Sequence, residues 1–320
     1  MSKIFVTRQI PEAGIRLLKD KGYDVEISSY DGVLDKKEII EKIGNIDALL
    51  CLLTDKIDKE VIDAAGSNFK IIANYAVGID NIDVKRAQER GIMVTNTPGV
   101  LTETVAEFTF SLILAAAHRI TEADRFCEEG RFKGWAPMLL LGTDICGKTL
   151  GVVGLGRIGS RVAHHAKLGF DMNILYYDVN PNAEFEKNYQ AKFCSLEDLL
   201  KNSDFVSIHV PLLPTTKHLV GENELRMMKK GAYLINTARG PVVDEKALVK
   251  ILKEGHLRGA ALDVFEWEPE ITSELKEIPN VISTPHIASA TEETRSKMST
   301  MAAENIIAAL EGREPMNLVK

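Results

Sequence analysis

Short runs of apolar residues alternate with amphipathic stretches through the first hundred residues of the chain. The apolar runs predict strands at residues 4–7, 25–28, 48–53, 71–74 and 93–95. Apolar positions at helical spacing predict helices at residues 11–21, 36–43, 59–65 and 84–90. Continuous apolar runs are typical of parallel strands that helices cover on both faces. The alternation therefore predicts an α/β domain with a parallel sheet.

The rest of the chain repeats this pattern with a second set of elements. Strands are predicted at residues 150–153, 173–177, 205–209, 232–235, 260–264 and 281–283. Helices are predicted at residues 161–168, 196–201, 222–228 and 244–254. The second set predicts another doubly wound parallel sheet, so we expect an α/β protein with two sheet domains. A length of 320 residues agrees with this expectation, because domains commonly span ~100–200 residues.

Two long helices and one irregular segment complete the pattern. Thr102 is expected to cap a helix that runs to about residue 120, and its apolar side chains occur all round the helix, which predicts burial. Residues 291–311 form the other long helix, which follows the final strand and is expected to cross back to the first domain. Residues 134–147 are apolar without a period, which is typical of an arm at an interface.

The sharpest signal follows the first strand of the second sheet. Gly154, Gly156 and Gly159 have the Gly-x-Gly-x-x-Gly spacing, with an apolar strand before them and a helix after them. Asp178 closes the next strand, 19 residues beyond Gly159. A strand, a glycine turn, a helix and a terminal acid in this order predict a dinucleotide-binding site. A methyltransferase that holds S-adenosylmethionine is the alternative binder of the same pattern.

Each residue of this motif has a physical role in dinucleotide binding. Gly154 permits a tight turn, Gly156 lets the backbone approach a pyrophosphate, and Gly159 lets the helix pack close to the strand. The pyrophosphate would lie on free N–H groups at the helix N-terminus, where the helix dipole also favours an anion. A carboxylate at Asp178 would bind the ribose hydroxyls and repel a 2′-phosphate, which favours NAD over NADP.

The corresponding turn of the first domain lacks these features. Residues 8–11 follow the first strand without a glycine, so we expect no dinucleotide there. Residues 75–83 follow a later strand, with Gly78 permitting an unusual backbone and Asp83 suited to cap the next helix. The N–H groups of residues 77–79 could form a nest for a small carboxylate. Composition alone favours an ordinary strand-to-helix turn.

Composition and charge disfavour several classes of protein. Apolar residues make up 45% of the chain and charged residues 27%, which predicts a folded globular protein. The net charge of −7 disfavours nonspecific binding to nucleic acid or to an anionic membrane. Residues 1–10 lack a signal-peptide pattern, and every apolar run is well short of the ~20 residues of a membrane-spanning helix. No His or Cys spacing suggests a metal site.

The four cysteines of the chain form no Cys-x-x-Cys pair. They are Cys51, Cys127, Cys146 and Cys194. This usage predicts reduced thiols in a cytoplasmic protein, where they serve packing and not chemistry.

Candidate functional residues follow four strands of the second sheet, at the carboxyl ends where open α/β sheets bind ligands. After the strand at residues 205–209, residues 210–216 could form a wall for an adenine ring. The candidates in chain order are Val210, Pro211, Thr216, Thr237, Ala238, Arg239, Asp263, Glu268 and His286. Because these strands are predicted to be parallel, their carboxyl ends meet at one edge of the sheet.

Three of these residues together fit the reduction of a carbonyl group. Arg239 can hold a carboxylate with two hydrogen bonds and polarise the neighbouring carbonyl. His286 can exchange a proton with a hydroxyl near neutral pH, and a carboxylate such as Glu268 would orient it. Singly, each residue is more readily explained as structural or as surface charge. Together, behind a dinucleotide motif, they favour a catalytic site in which a nicotinamide supplies hydride.

Six motifs, in order and spacing, resemble the D-isomer-specific 2-hydroxyacid dehydrogenases over essentially the whole chain. Within that family the sequence is most similar to the glyoxylate and hydroxypyruvate reductases. The motifs are YAVGIDNID (75–83), GLGRIG (154–159), HVPLLPTTKHLV (209–220), NTARGPVVD (236–244), ALDVFEWEP (261–269) and TPHIAS (284–289).

The resemblance implies a role for each candidate residue. Arg239 would bind the substrate carboxylate and carbonyl, His286 would be the acid/base, and Glu268 would be its carboxylate partner. Val77 and Gly78 would offer N–H groups to the substrate carboxylate. The residues implied for cofactor binding are Thr104, Gly154, Gly156, Arg157, Ile158, Gly159, Asp178, Val210, Pro211, Thr216, Thr237, Ala238, Arg239, Asp263 and His286.

The resemblance also implies a domain organisation and an activity. A Rossmann cofactor domain, residues 99–290, would be inserted into a flavodoxin-like substrate domain made of residues 1–98 and 291–320. Family members commonly dimerise through the cofactor domain, which implies a homodimer. The implied reaction is the NAD-dependent reduction of a small 2-oxo acid, glyoxylate or hydroxypyruvate, to the 2-hydroxy acid.

Two alternatives stay open from the sequence. One is a related dehydrogenase with another substrate, such as phosphoglycerate, a branched 2-oxo acid or phosphite. The other is an NAD-sensing interaction protein on the same scaffold. No appended peptide-recognition module is evident, and the intact set of Arg239, Glu268 and His286 favours the enzyme.

Overall fold

The apolar runs of the first hundred residues form a parallel sheet in the computed structural model, which describes all 320 residues of the chain. Its strands are β1 (Lys3–Val6), β2 (Asp24–Ile27), β3 (Ala48–Cys51), β4 (Ile71–Asn74) and β5 (Met93–Thr95). They lie in the order β2-β1-β3-β4-β5, and all their pairings are parallel. This is the flavodoxin-like strand order. The helices between the strands are α1 (Glu12–Asp20), α2 (Lys36–Ile43), α3 (Lys59–Asp63) and α4 (Val84–Glu89).

The second set of apolar runs forms a sheet of seven parallel strands. The strands are β6 (Thr149–Val153), β7 (Asn173–Tyr177), β8 (Lys192–Phe193), β9 (Phe205–Ile208), β10 (Tyr233–Asn236), β11 (Gly259–Leu262) and β12 (Val281–Ser283). Their order is β12-β11-β10-β9-β6-β7-β8, so the winding reverses between β6 and β9. Ligands of doubly wound folds bind at such a switch point. The predicted α/β class with two parallel sheets is confirmed.

Nine helices follow β5 along the chain. They are α5 (Thr102–Ala117), α6 (Ile120–Glu128), α7 (Arg157–Phe170), α8 (Ala183–Tyr189), α9 (Leu196–Asn202), α10 (Glu222–Met227), α11 (Glu245–Lys253), α12 (Ser273–Glu277) and α13 (Glu292–Leu310), and a 3-10 turn covers Gly240–Val242. Asp83 caps α4 as predicted, since its carboxylate accepts the N–H of Arg86 at 3.0 Å.

The contacts of the chain separate it into two compact units. Met1–Leu101 and Ala290–Lys320 form unit 1, and Thr102–Ser289 form unit 2. The predicted domain boundaries, at residues 98/99 and 290/291, fall close to these divisions. The substrate and cofactor roles assigned to the two domains stay predictions at this point.

Helix α13 packs along α1 within unit 1, at the closest point through Gly14 and Ser299. The Gly14 N–H donates to the Ser299 hydroxyl at 3.0 Å. A Cβ at Gly14 would lie 2.1 Å from the Ser299 carbonyl oxygen, so only glycine allows the two helices to approach this closely.

The long helix predicted from Thr102 to about residue 120 is wrong at both ends. Thr102 is the first helical residue of α5 and not its cap, and α5 stops at Ala117. Arg119 then takes a left-handed conformation, with φ of 56°, before α6 begins. The Thr143 N–H donates to the Ala117 carbonyl at 2.8 Å, so a later segment occupies the end of α5. Sequence periodicity does not register such a distant partner.

The predicted burial of α5 is confirmed, and it explains how the helix is held in unit 2. Ala106 and Ile113 are fully buried, and α5 packs on α7 and on strands β10, β11 and β12. Phe110 stacks on Phe170 of α7 with ring centroids 4.9 Å apart. Burying an apolar side chain of this size contributes roughly 1.5–3 kcal/mol.

Several elements were not predicted, namely α6, α8, β8, α12 and the 3-10 turn, and all of them except α6 span at most 7 residues. The cysteine prediction is wrong in part. Cys51 is buried, but Cys127 and Cys146 are exposed and do not serve packing.

Among the helices, none combines the length and the apolar character that crossing a membrane requires.

Candidate active site

The glycine turn between β6 and α7 lies at the switch point of the unit 2 sheet. Gly154 has a φ of +96°, and a Cβ there would lie 2.9 Å from the carbonyl carbon of His209. A Cβ at Gly159 would lie 2.1 Å from the carbonyl oxygen of Gly154. Both glycines are therefore required for the turn to close against α7 and β9. A Cβ at Gly156 would meet no protein atom within 4 Å, so this side of the turn is open.

The start of α7 offers hydrogen-bond donors that the protein does not use. Gly156 is the N-cap, and no side chain caps the helix. The N–H groups of Gly156, Arg157 and Ile158 make no hydrogen bond to another part of the protein. Free N–H groups at an open helix N-terminus bind anions. The turn therefore fits the pyrophosphate of a dinucleotide.

Asp178 lies beside this turn, directly after β7. Its Oδ2 accepts the Leu155 N–H at 2.7 Å, and its Oδ1 accepts the Val179 N–H at 2.6 Å. These bonds fix the carboxylate at the carboxyl end of the strand. Residues 178–182, Asp-Val-Asn-Pro-Asn, include no basic side chain that could pair with a 2′-phosphate. The arrangement fits the ribose of NAD.

The loop after β9 is closed by Thr216. Its hydroxyl donates to the Pro211 carbonyl at 2.6 Å and accepts the Leu213 N–H at 2.8 Å. Val210 is half-buried and Pro211 is exposed. The Thr216 hydroxyl is thus engaged in shaping the loop that the sequence assigned to the adenine ring.

His209 lies against the glycine turn and is not among the candidate residues predicted from the sequence. Its Nε2 is 2.8 Å from the Ser207 hydroxyl. Burial lowers the pKa of His209 to about 3. The ring is therefore neutral at physiological pH and supports the turn as a packed, hydrogen-bonded group.

The turn after β10 presents Arg239. Asn236 holds this turn, because its amide nitrogen donates to the Arg239 carbonyl and its amide oxygen accepts the Ala238 N–H, both at 3.0 Å. The Thr237 hydroxyl lies 2.8 Å from the hydroxyl of Thr109, which ties the turn to α5. The guanidinium of Arg239 is half-buried and donates to the Ala238 carbonyl at 2.8 Å.

Glu268 and His286 form a hydrogen-bonded pair. Nδ1 of His286 lies 3.0 Å from Oε2 of Glu268, and their side chains are 26% and 32% exposed, with the histidine the more buried. Nε2 of His286 makes no hydrogen bond to the protein, which leaves it available for proton exchange. His286 has a φ of +54°, a conformation that costs a non-glycine residue on the order of 1–3 kcal/mol. Strain of this kind persists where the surroundings enforce it.

The charges around this pair keep Glu268 ionised. Burial raises the pKa of Glu268, but the hydrogen bond and charge of His286, the Phe265 N–H and the charge of Arg239 together hold it below its usual value. An ionised Glu268 can only accept a hydrogen bond, so it orients Nδ1 of His286 as the donor. The three residues predicted from strand ends thus act on one another at one edge of the sheet.

Asp263 binds the residues on either side of His286. It has no exposed surface, and its carboxylate accepts the Thr284 hydroxyl at 2.7 Å and the N–H groups of Ile287 and Ala288 at 2.9 and 2.8 Å. Burial raises the pKa of Asp263 above its usual value. In this structure Asp263 holds the turn that carries His286, and its expected contact with a nicotinamide stays a prediction.

Within unit 1, the turn after β4 has unused N–H groups at Val77 and Gly78. Neither N–H makes a hydrogen bond to the protein. Their carbonyls are held instead, since the Asn96 amide donates to Val77 and the Asn74 amide donates to Gly78, both at 2.8 Å. Gly78 does not use the positive φ that a glycine permits. The amides fix the turn without it.

Thr104 lies in the first turn of α5, next to an ion pair between α5 and α7. The carboxylate of Glu103 accepts two hydrogen bonds from the Arg161 guanidinium, at 2.6 and 2.9 Å. This bidentate pair fixes the start of α5 relative to the helix that follows the glycine turn.

Comparison with known proteins identifies the family to which this site belongs. Residues 110–288 match the family model described as the D-isomer specific 2-hydroxyacid dehydrogenase, NAD binding domain. A glyoxylate reductase of Korarchaeum cryptofilum is 53% identical over 319 residues, which cover 99% of this chain and 95% of that protein. The chain belongs to the D-isomer-specific 2-hydroxyacid dehydrogenase family.

Solved structures agree with this assignment of the dehydrogenase. A protein from Thermus thermophilus superimposes with a TM-score of 0.93 at 45% identity, covering 99% of this chain and 100% of that one. A glyoxylate reductase from Paecilomyes thermophila superimposes with a TM-score of 0.88 at 31% identity, covering 99% and 98%. The dehydrogenase is therefore an NAD-dependent oxidoreductase that acts on 2-oxo and 2-hydroxy acids, and the methyltransferase alternative is excluded.

Two asparagines that hold the site turns of the dehydrogenase are not among the residues predicted from the sequence. Asn236 and Asn74 are each 1% exposed, and each is the last residue of its strand. Both residues could have been recognised in the sequence, because each is an asparagine that ends an apolar strand. A buried amide in that position needs partners, and the backbone of the following turn supplies them.

Proposed function

We propose that this dehydrogenase reduces glyoxylate or hydroxypyruvate with NADH to the corresponding 2-hydroxy acid. The observation that carries the proposal is the 3.0 Å pair of His286 and Glu268, in which Nε2 of the histidine is unengaged, with Arg239 acting on the same carboxylate. Relatives named glyoxylate reductase, at 53% and 31% identity, support the choice of substrate. Both proposed substrates are small 2-oxo acids, with a carboxylate next to the reactive carbonyl.

The proposed chemistry divides between the cofactor and three side chains. Bound NADH supplies the hydride to the carbonyl carbon. Nε2 of His286 donates a proton to the carbonyl oxygen, so the C=O double bond becomes a C–O single bond, with one new C–H bond and one new O–H bond. Glu268 accepts the hydrogen bond of Nδ1 and stabilises the imidazolium before transfer. Arg239 binds the substrate carboxylate and polarises the carbonyl.

The cofactor would be held by the switch-point residues of unit 2. The N–H groups of Arg157 and Ile158 would bind the pyrophosphate, and Asp178 would accept the ribose hydroxyls. The loop of residues 210–216 would face the adenine ring. Thr104, Thr237, Ala238 and Asp263 are proposed for the nicotinamide side.

Unit 1 would bind substrate through the turn after β4. The unengaged N–H groups of Val77 and Gly78 support this proposal, because two adjacent donors can hold a carboxylate. Their carbonyls are already held by amides, so the turn is preorganised for an anion. The predicted division into a substrate domain and a cofactor domain rests on this assignment.

A panel of oxo acids, followed by NADH absorbance, tests the proposed function. We expect glyoxylate and hydroxypyruvate to give the highest kcat/KM. Faster turnover of a branched 2-oxo acid, or faster oxidation of phosphoglycerate or phosphite with NAD, would replace the proposed substrate. Tight NADH binding without turnover of any compound would favour the NAD-sensing alternative.

A homodimer through unit 2 is the proposed assembly. The segment after α6 exposes large apolar side chains, including Trp135 at 85%, Met138 at 76% and Phe132 at 57%. Arg258 anchors its end by donating to the Leu141 and Gly142 carbonyls at 3.0 and 3.1 Å. Exposed apolar side chains grouped along one segment support the proposal of an interface there. Light scattering should give twice the chain mass, and Trp135→Glu with Met138→Glu should give the monomer.

A cytoplasmic location stays a prediction.

A further inference from the structure

Two glutamates behind the candidate site bind each other's backbone. Glu245, the first residue of α11, is 2% exposed, and its carboxylate accepts the Glu266 N–H and the Thr272 hydroxyl. In return, the Glu266 carboxylate accepts the Glu245 N–H at 3.4 Å. This reciprocal pair joins the start of α11 to the loop of residues 265–272. We call it the glutamate clasp; the same loop carries Glu268.

The clasp extends to a third segment through His218. Nε2 of His218 lies 2.7 Å from the carboxylate of Glu266. The Glu266 side chain is 8% exposed. His218 has a φ of +52°, and its N–H donates to the Pro241 carbonyl at 2.8 Å. His218 therefore links the Glu266 side chain to the residues that follow Arg239.

The turn of Arg239 also touches the loop of Glu268 directly. A Cβ at Gly240 would lie 1.9 Å from the carbonyl carbon of Phe265, so the two backbones are in contact. A shift of the loop would therefore move Glu268 and press on the turn that carries Arg239. The position of this loop decides the geometry of both residues.

Capping of α11 does not account for the clasp. Asp244 already caps that helix, with its carboxylate accepting the Ala247 N–H at 3.0 Å. The Glu245 side chain turns away from its own helix toward the loop. Loops with exposed side chains, such as Trp267 at 58% exposure, are mobile unless they are held.

We propose that Glu245, Glu266 and His218 are positioning residues for reduction, which fix the loop so that Glu268 can orient His286. This inference rests on the proposed roles of Glu268 and His286. A displacement of ~1 Å in a catalytic group can cost ~100-fold in rate, so the loop must be held tightly. The three residues need not touch substrate or cofactor to have this effect.

The test compares kcat, KM values and the pH profile of kcat/KM for reduction. Glu245→Ala should lower kcat by about 10-fold while KM for NADH stays within about 2-fold. The pH at which kcat/KM declines should shift down, because Glu268 would stabilise the protonated form of His286 less well. Asp263 also faces His286, and Arg239 acts on Glu268; the variant leaves both in place.

Further variants make the result decisive. Glu245→Gln keeps an oxygen for the Glu266 N–H and should recover most of the rate. His218→Ala changes a side chain that is 39% exposed, so it should fold and lower kcat by about 3-fold with the same direction of pH shift. Glu270→Gln removes an exposed charge from the same loop and should behave as wild type.

The outcomes separate this inference from the proposed function. If Glu268→Gln leaves the pH profile unchanged, the proposed catalytic pair is wrong. If Glu268→Gln shifts the profile but folded Glu245→Ala and His218→Ala do not, the pair stands and the positioning role is overturned. A shift in all three variants supports both.

Discussion

Both sheets begin with the same step from strand to helix, but the two helix N-termini are used differently. Gly14 is the third residue of α1, and Gly159 is the third residue of α7. In each case a Cβ would lie 2.1 Å from a carbonyl oxygen, that of Ser299 for Gly14 and that of Gly154 for Gly159. One glycine admits a neighbouring helix, and the other closes a turn.

The difference lies in what happens to the N–H groups of the first helical turn. In α1, the Gly14 N–H is taken by the Ser299 hydroxyl, which itself donates to the Pro11 carbonyl at 2.6 Å. In α7, the corresponding residue is Gly159, and no side chain from another element accepts an N–H of the first turn. The same topology therefore gives a helix N-terminus that is packed against another helix at Gly14 in unit 1, and one that is open at Gly156 in unit 2, where we propose that the pyrophosphate binds. Strand order alone does not specify a cofactor site.

The largest effect should come from the edge of the sheet that carries the chemistry. His286→Ala should lower kcat by about 100- to 10,000-fold, because the proposed proton donor is lost. NADH affinity should stay within about 3-fold, since the glycine turn is untouched. Stopped-flow turnover and fluorescence titration of NADH measure the two quantities. His118→Ala, at an exposed position, is the matched control. A kcat near that of wild type would disprove the assignment.

The two glycines offer a matched pair of substitutions. Gly159→Ala should weaken NADH binding by about 10- to 100-fold, because α7 must move away from the turn. Gly14→Ala should leave NADH affinity unchanged, although overpacking in both variants should lower the free energy of unfolding by about 1–3 kcal/mol. Titration with NADH and urea unfolding provide the comparison. Equal losses of NADH affinity would contradict the distinction between an open and a sealed N-terminus.

A smaller effect is expected at Asp178, beside the open turn. Asp178→Asn keeps an oxygen that can accept the Leu155 N–H but removes the charge that would repel a 2′-phosphate. The preference for NADH over NADPH should fall by about 10-fold. The ratio of the two kcat/KM values measures it, with Glu184→Gln on α8 as control. An unchanged ratio would remove Asp178 as the ribose ligand.

The smallest effect concerns His209, which supports the open turn. Its pKa in the folded protein is about 3, below the ordinary value of 6.5. The unfolded chain therefore binds a proton first, so the stability from this group is complete above pH 6.5 and is lost as the pH falls toward 3. Between pH ~6.5 and ~5.5 the loss should be about 1 kcal/mol. His209→Gln should remove that part of the pH dependence in urea unfolding; an identical slope would show that His209 is not buried as a neutral ring.

The sequence predicted those parts of the site that local patterns encode. The strands Ile71–Asn74 and Asn173–Tyr177 have the predicted bounds, because their apolar runs pack within the sheets. Arg239, Glu268 and His286 come together because parallel strands place their carboxyl ends at one edge.

What the sequence did not predict depends on partners far along the chain. The break at Arg119 follows from the Thr143 N–H at the end of α5, and the glutamate clasp joins residues 245 and 266. At Gly78 the sequence permits more conformational freedom than the structure uses. A glycine permits a positive φ, but two asparagine amides hold that turn in a conformation without one.

The left-handed backbone at His286 has a consequence for protein engineering. In a library that replaces this residue to find other proton donors, each new side chain must provide the chemistry and must also tolerate a positive φ. Asparagine and aspartate enter this region of φ and ψ several times more readily than most residues, while β-branched residues do so rarely. Failed replacements by threonine or valine would then report on the backbone as well as on the chemistry, and asparagine or glycine would separate the loss of the imidazole from that backbone effect.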